Sequence, residues 1–222
     1  MVDWRTSVSR DLAAFAAKRG LPPVDWVEFA VEWRKLYQPS MDEVRSGRRP
    51  WTILDVLHRE SLVTLIGRYG IKGLSDADVD HLTQAWHRLD PWPDVVEGLC
   101  RLKKSLIIAP CSNGNIALMV NMAKRAGLPW DCILGAETAR AYKPMPEAYL
   151  ASCRQLGLQP VQVMMVAAHN GDLKAAKAQG LATGFVARPE HGAGQTTDLS
   201  ADPSCVDVEA KSFVDLAAKL GC

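Results

Sequence analysis

Apolar and polar positions change rhythm once along this chain. Across residues 6–89 the apolar positions recur at helical spacing, clearest where Trp26, Phe29, Ala30, Trp33, Leu36 and Tyr37 fall on one face. The punctuation agrees. Ser7 or Ser9 can cap a helix running to Gly20, and Pro22-Pro23 separates it from the next. Ser40-Met41-Asp42-Glu43 has the form of a capping box and Gly47 closes that short piece. Residues 51–69 are amphipathic and end at Gly70, and Ser75 with Asp78 opens a helix toward Leu89. The pattern predicts four or five helices here and no strand.

Asp90-Pro91-Trp92-Pro93 interrupts that rhythm, because two prolines leave little room for a continuous helix, and a domain junction is expected there. Beyond it short apolar runs alternate with helical stretches. Helices are predicted over 94–103, 116–126, 147–157 and 212–220, and strands over 105–109, 132–135, 163–168, 182–187 and 205–208. A Gly- and Asp-rich loop is expected over 191–204. Strand and helix in turn specify a parallel sheet of the doubly wound type. The chain thus divides into a helical domain, 6–89, and an α/β domain, 90–222.

The clearest βαβ unit runs from Val163 to Pro189, and its first strand empties into His169-Asn170-Gly171-Asp172. In open α/β sheets ligands gather where strands end and loops leave. Two other polar clusters follow strands or lie in the loops beside them. Ser112-Asn113-Gly114-Asn115 offers a hydroxyl, amides and helix-start N–H groups suited to a carboxylate or other anion. Ala141-Tyr142-Lys143-Pro144 holds a lysine that could aim at an anionic centre. Each has a plainer reading. Ser112, Asn115 and Asp172 are good helix-capping residues, and a loop lysine is usually solvated.

Composition narrows the partners. The formal charge is +1, from 26 basic and 25 acidic residues, which gives no electrostatic case for nucleic acid or an acidic membrane. No apolar run approaches the length of a membrane span and the first residues are too polar for a signal peptide, so the cytoplasm is expected. The six cysteines are scattered singly, without disulfide or zinc spacing; only Cys111, beside a polar strand end, has a claim on chemistry.

Taken in order, S-N-G at Ser112–Gly114, K-P at Lys143-Pro144, and a strand ending H-N-G-D-L-x-A-A at His169–Ala176 resemble the second, third and fourth motifs of the haloacid dehalogenase superfamily. The resemblance runs the whole length of the chain. Within it, W-R-x-x-Y-Q-P-S-M at Trp33–Met41 and P-W-P-D at Pro91–Asp94 resemble the type II 2-haloacid dehalogenases. What this implies is a Rossmann-like core with an inserted helical cap at 6–89, residues 1–5 being part of the core-to-cap linker. It also implies hydrolysis of short 2-haloalkanoic acids through an aspartyl ester, with no cofactor. Ser112 and Asn113 would hold the substrate carboxylate, Lys143 would position the nucleophile, and Asp172 would fix Lys143. Arg34 would meet the halide or the carboxylate. Asn115, His169 and Asn170 would complete the surroundings of substrate and water, His169 replacing an Asn of better known members. A homodimer is plausible on the same resemblance.

One departure is large. The family's first motif, a strand ending D-x-x-G-T whose Asp is the nucleophile and which forms the centre of the sheet, would lie just before Val2 and is not in this sequence. The expectation is that Met1 is not the natural start. Two other functions remain open. A Mg²⁺-dependent phosphatase of the same superfamily would need more carboxylates than the lone Asp172 supplies. A degenerate member would bind a ligand or partner without turnover.

Overall fold

The computed structural model describes residues 1–188 and 197–222. Residues 189–196, with the first part of the predicted 191–204 loop, lie outside the described residues. In chain order the elements are β1 Val2–Asp3, α1 Trp4–Arg19, α2 Trp26–Lys35, α3 Tyr37–Arg45, α4 Leu54–Arg68, α5 Asp76–Thr83, a 3₁₀ turn Gln84–His87 and β2 Asp90–Pro91. There follow α6 Val95–Leu102, β3 Cys111–Ser112, α7 Ile116–Ala126, β4 Leu134–Gly135, α8 Ala136–Ala139 and α9 Pro146–Gln155. After a 3₁₀ turn, Pro160–Gln162, come β5 Met164–Ala167, α10 Asn170–Lys177, β6 Ala182–Val186, β7 Val208–Ala210 and α11 Phe213–Lys219. No described helix is long and apolar enough to cross a membrane.

The chain forms two compact units, Met1–Trp92 with Gly114–Gly127, and Pro93–Asn113 with Leu128–Cys222. The first boundary lies inside the D-P-W-P segment. Helix α7 groups with the helical unit, although strand-helix alternation alone assigns it to the α/β part.

In the first unit α1, α2 and α5 start where an N-cap side chain satisfies orphan N–H groups of the first turn. Asp3 accepts from the Thr6 N–H at α1, and Asp25 accepts from Val27 and Glu28 at α2. Ser75 and Asp78 form a reciprocal capping box at α5. Two expected caps are displaced. Ser7 and Ser9 lie inside α1, where the Ser7 hydroxyl accepts from the Asp90 N–H and the Ser9 hydroxyl donates to the Arg5 carbonyl. Ser40 lies inside α3 with its hydroxyl on the Tyr37 carbonyl. In each case the helix reaches further upstream than the capping signal. Phe29, Trp33, Leu57, Leu62 and Leu65 are essentially fully buried in this unit, and β1 pairs antiparallel with β2.

The second unit is α/β. β3 pairs in parallel with β4, and β5, β6 and β7 form a second parallel sheet in that order. The strand predicted over 105–109 is instead Cys111–Ser112. A strand requires a partner along its length, and of the earlier run Ile108 alone bonds across, to Asp131, while Leu106 and Ile107 are 45% and 59% exposed. Likewise the last strand begins at Val208, where pairing to Gly184 starts, and not at Cys205. Tyr149, Met165, Leu173, Leu181 and Phe185 anchor the core beneath β5 and β6. The Asp94 carboxylate ties the start of α6 to the rest of the unit, accepting from both Arg188 terminal nitrogens and the Phe213 N–H.

Candidate active site

Asp172 is the hub of the polar cluster in the second unit. β5 delivers the chain to its exit, His169 takes the N-cap position of α10, and Asp172 falls in the first helical turn, where the helix dipole favours a carboxylate. It is therefore not the cap. Its side chain turns to two donors instead: Lys143 Nζ donates to Oδ2 at 2.6 Å and the Tyr149 hydroxyl donates to Oδ1 at 2.6 Å. Both side chains of the ion pair are mostly buried, 16% and 17% exposed. A charge-assisted pair of this kind, with both carboxylate oxygens satisfied, holds its geometry tightly.

Tyr149 escaped the sequence reading. It is fully buried on α9, six residues beyond Lys143. The available signal was chemical: a phenol on the apolar face of a helix needs a hydrogen-bond partner when buried. Burial first, and then the neighbouring Asp172 carboxylate, push its ionisation far upward, so the phenol remains a proton donor.

The Ser112 loop meets the lysine loop through the backbone. The Lys143 N–H donates to Asn113 Oδ1 at 2.8 Å, which fixes the amide of this buried asparagine with its Nδ2 directed elsewhere. Ser112 is held at the end of β3 opposite Gly135 of β4. Gly135 has φ +118°, and a Cβ there would lie 2.3 Å from the Ser112 carbonyl oxygen, so this close pairing requires glycine. Cys111 precedes Ser112 and sits near Lys143; burial pushes its thiol upward, with Lys143 opposing, so it stays a neutral group of the wall. The segment 112–113, Lys143, Tyr149 and Asp172 thus form one constellation: a cation, a fixed amide and a strand-end hydroxyl residue, suited to carboxylate chemistry.

The other expected residues sit differently. The Asn115 amide is engaged at both ends, Oδ1 accepting from the Asp55 N–H at 3.2 Å and Nδ2 donating to Asp55 Oδ2 at 2.8 Å. The Asn170 amide is likewise engaged with the 200–202 segment, donating to the Ser200 carbonyl and accepting from the Asp202 N–H. Each amide, expected beside substrate or water, thus also stitches one loop to another. His169 stands between β5 and α10, its carbonyl accepting from Asp172 and Leu173. In the helical unit the Arg34 guanidinium lies 4.1 Å from the centroid of Tyr37 and 5.9 Å from that of Trp4, and no described carboxylate pairs with it. The tryptophans around it pack on one another, Trp86 at 5.9 Å from Trp4 and 5.4 Å from Trp33.

This chain is a member of the haloacid dehalogenase-like hydrolases, whose family pattern matches residues 4–180. Its fold is the helix-capped α/β arrangement of that family. Among solved structures it is similar to a defluorinating L-2-haloacid dehalogenase, 50% identical with a TM-score of 0.95, covering 100% of this chain and 91% of that one. A second L-2-haloacid dehalogenase is 46% identical with a TM-score of 0.94, covering 99% and 94%. It is also similar to the (S)-2-haloacid dehalogenase of Xanthobacter autotrophicus, 30% identical over 132 residues, and to (S)-2-haloacid dehalogenase 4A of Burkholderia cepacia, 33% identical over 129 residues. The alignments cover 59% and 55% of this chain, and 51% and 52% of those relatives, so the chain spans about half their length.

Proposed function

We propose that this protein hydrolyses the carbon–halogen bond of short 2-haloalkanoic acids. The observation that carries the reading is the Asp172 carboxylate holding Lys143 at 2.6 Å beside Asn113, in a chain 50% identical to a defluorinating L-2-haloacid dehalogenase. In the proposed reaction a carboxylate oxygen of the D-x-x-G-T aspartate forms a bond to C2 as the C2–halogen bond breaks, its electron pair departing with the halide. Water then adds to the ester carbonyl, returning the carboxylate and releasing a 2-hydroxy acid.

Each residue has a task set by its chemistry. Lys143 keeps the attacking carboxylate ionised and aimed, since two carboxylates near one ammonium are less repulsive than two alone. Asp172 and Tyr149 keep Lys143 from swinging. Ser112 and the free end of the Asn113 amide receive the substrate carboxylate. Arg34, a guanidinium backed by aromatic faces, receives the halide. His169 is proposed to orient the hydrolytic water.

The rival phosphatase reading needs carboxylate oxygens to bind Mg²⁺, and both oxygens of Asp172 are already engaged. The deciding assay is halide release from chloroacetate, 2-chloropropionate and fluoroacetate. It is run with and without a strong chelator, on this chain and on a chain extended at its N-terminus through a D-x-x-G-T motif. Chelator-resistant halide release is expected of the extended chain, which carries the attacking aspartate. Phosphate release that depends on Mg²⁺, with no halide from any haloacid, would overturn the proposal.

A further inference from the structure

The helical unit contains a closed hydrogen-bond circuit that the reaction scheme above does not use. It begins with Asn115, which stands at the N-cap position of α7 yet makes no capping bond there. Its amide reaches instead to the first turn of α4 and pairs reciprocally with the backbone N–H and the carboxylate of Asp55. The second oxygen of Asp55 is 2.9 Å from His87 Nε2 in the 3₁₀ turn. His87 Nδ1 lies 3.0 Å from Asn121 Nδ2, which returns the circuit to α7. Nε2–H donating to Asp55 and Nδ1 accepting from Asn121 satisfies every partner with one tautomer. The cluster is well shielded: Asn115 is 2% and His87 5% exposed.

The circuit grips α7 at two points, its N-cap and a position well over a turn later. Desolvation alone would raise the Asp55 carboxyl, but the hydrogen bonds from His87 and Asn115 outweigh it and hold the group below its usual value. A carboxylate so held makes a stiff anchor, since breaking either bond leaves a half-buried charge unsatisfied.

We propose that Asp55 is a positioning residue for the reaction, acting through Asn115 to fix where α7 begins and hence how the adjoining Ser112-Asn113 run is presented. This rests on the reading of Ser112 and Asn113 as the carboxylate-binding groups. It also gives Asn115 a different role from the one expected of it: it steadies the loop and does not touch substrate. His87 supports Asp55, and Asn121 orients His87.

Amide hydrogen exchange across residues 114–119 tests the positioning directly, and halide release by the same variants of the chain extended through the D-x-x-G-T motif tests its consequence. In Asp55→Ala, exchange in this segment accelerates about tenfold or more relative to wild type, beyond any change in a control of equal global stability such as Leu65→Val. Asp55→Asn, which preserves the amide-to-oxygen contact with Asn115, recovers most of the protection. Asp55→Ala and Asn115→Ala each lower kcat about tenfold with KM within about twofold, and the double variant is no worse than either single one. Unchanged exchange in Asp55→Ala, or acceleration spread evenly through the unit as in the control, overturns the proposal. So does a halide inhibition constant altered in Asn115→Ala but not in Asp55→Ala, because Asn115 would then touch the ion. If the chain extended through the D-x-x-G-T motif releases no halide, the dehalogenase reading fails alone and the exchange result decides the anchoring role.

Discussion

Two aspartates, one in each unit, are set alike and differ in what faces them. Asp172 and Asp55 both occupy the first turn of a helix, and both have each carboxylate oxygen engaged by a different residue. Asp172 faces a lysine ammonium and a phenol, at 2.6 Å each. Asp55 faces an imidazole at 2.9 Å and an amide at 2.8 Å. An ammonium carries a full charge that a reacting group can use, whereas an amide carries only direction. On the proposed reading the same local design serves chemistry in one unit and alignment in the other, and the partner side chain decides which.

The sharpest way to break this contrast is Lys143→Ala in the chain extended through the D-x-x-G-T motif. It is expected to lower halide release on the order of a thousandfold while circular dichroism stays native, since a group argued to stabilise developing charge is lost from a pre-set site. Retention of more than a tenth of wild-type turnover would reduce Lys143 to a structural partner of Asp172.

A pH titration of stability probes the neighbourhood of Asp55. His58, one turn along α4, is fully buried, stacks on Trp86 at 4.7 Å and has neither ring nitrogen hydrogen-bonded. Burial lowers its pKa to about 3, against 6.5 unperturbed. Below 6.5 the unfolded chain binds a proton that the folded ring refuses, so stability falls as pH drops from there toward 3, by up to about 1.4 kcal/mol per pH unit. The lowered Asp55 carboxyl adds its own loss only below its unfolded value of 3.8. Urea unfolding at pH 6.5 and 4.5 should show the drop in wild type and a flatter response in His58→Phe; identical slopes would refute the assignment.

The smallest effect is expected at the second donor to Asp172. Tyr149→Phe removes one buried hydrogen bond and should cost about 1–2 kcal/mol of stability and roughly tenfold in kcat. A Lys143 that stayed fully active without the phenol would show that the ion pair alone holds it.

Much of this was legible in the sequence because it is written in local rules. The change from helical to alternating rhythm at Asp90–Pro93, the capping box at Ser75 and Asp78, and helix Ile116–Ala126 follow from side-chain periodicity and the chemistry of helix ends. The order Ser112, Lys143, Asp172 also lay on the surface of the sequence as a motif resemblance. Other features depend on partners distant in the chain. Residues 105–109 are apolar enough for a strand, but a strand exists only where another strand supplies its hydrogen bonds. Asn115 and Asn170 carry amides, but the direction of an amide depends on what lies across from it in space.

What the sequence settled by itself, then, was which segments coil, where the chain turns, and which residues carry charge or an amide beside a strand end, since these depend on neighbours a few positions away. Folding in three dimensions decided the pairings: that Tyr149 reaches Asp172 across 23 residues and that Asp55 reaches Asn115 across 60. Such contacts leave no periodic trace, because they are fixed by the packing of whole helices and strands, and only there does a carboxylate learn whether it will face a cation or an amide.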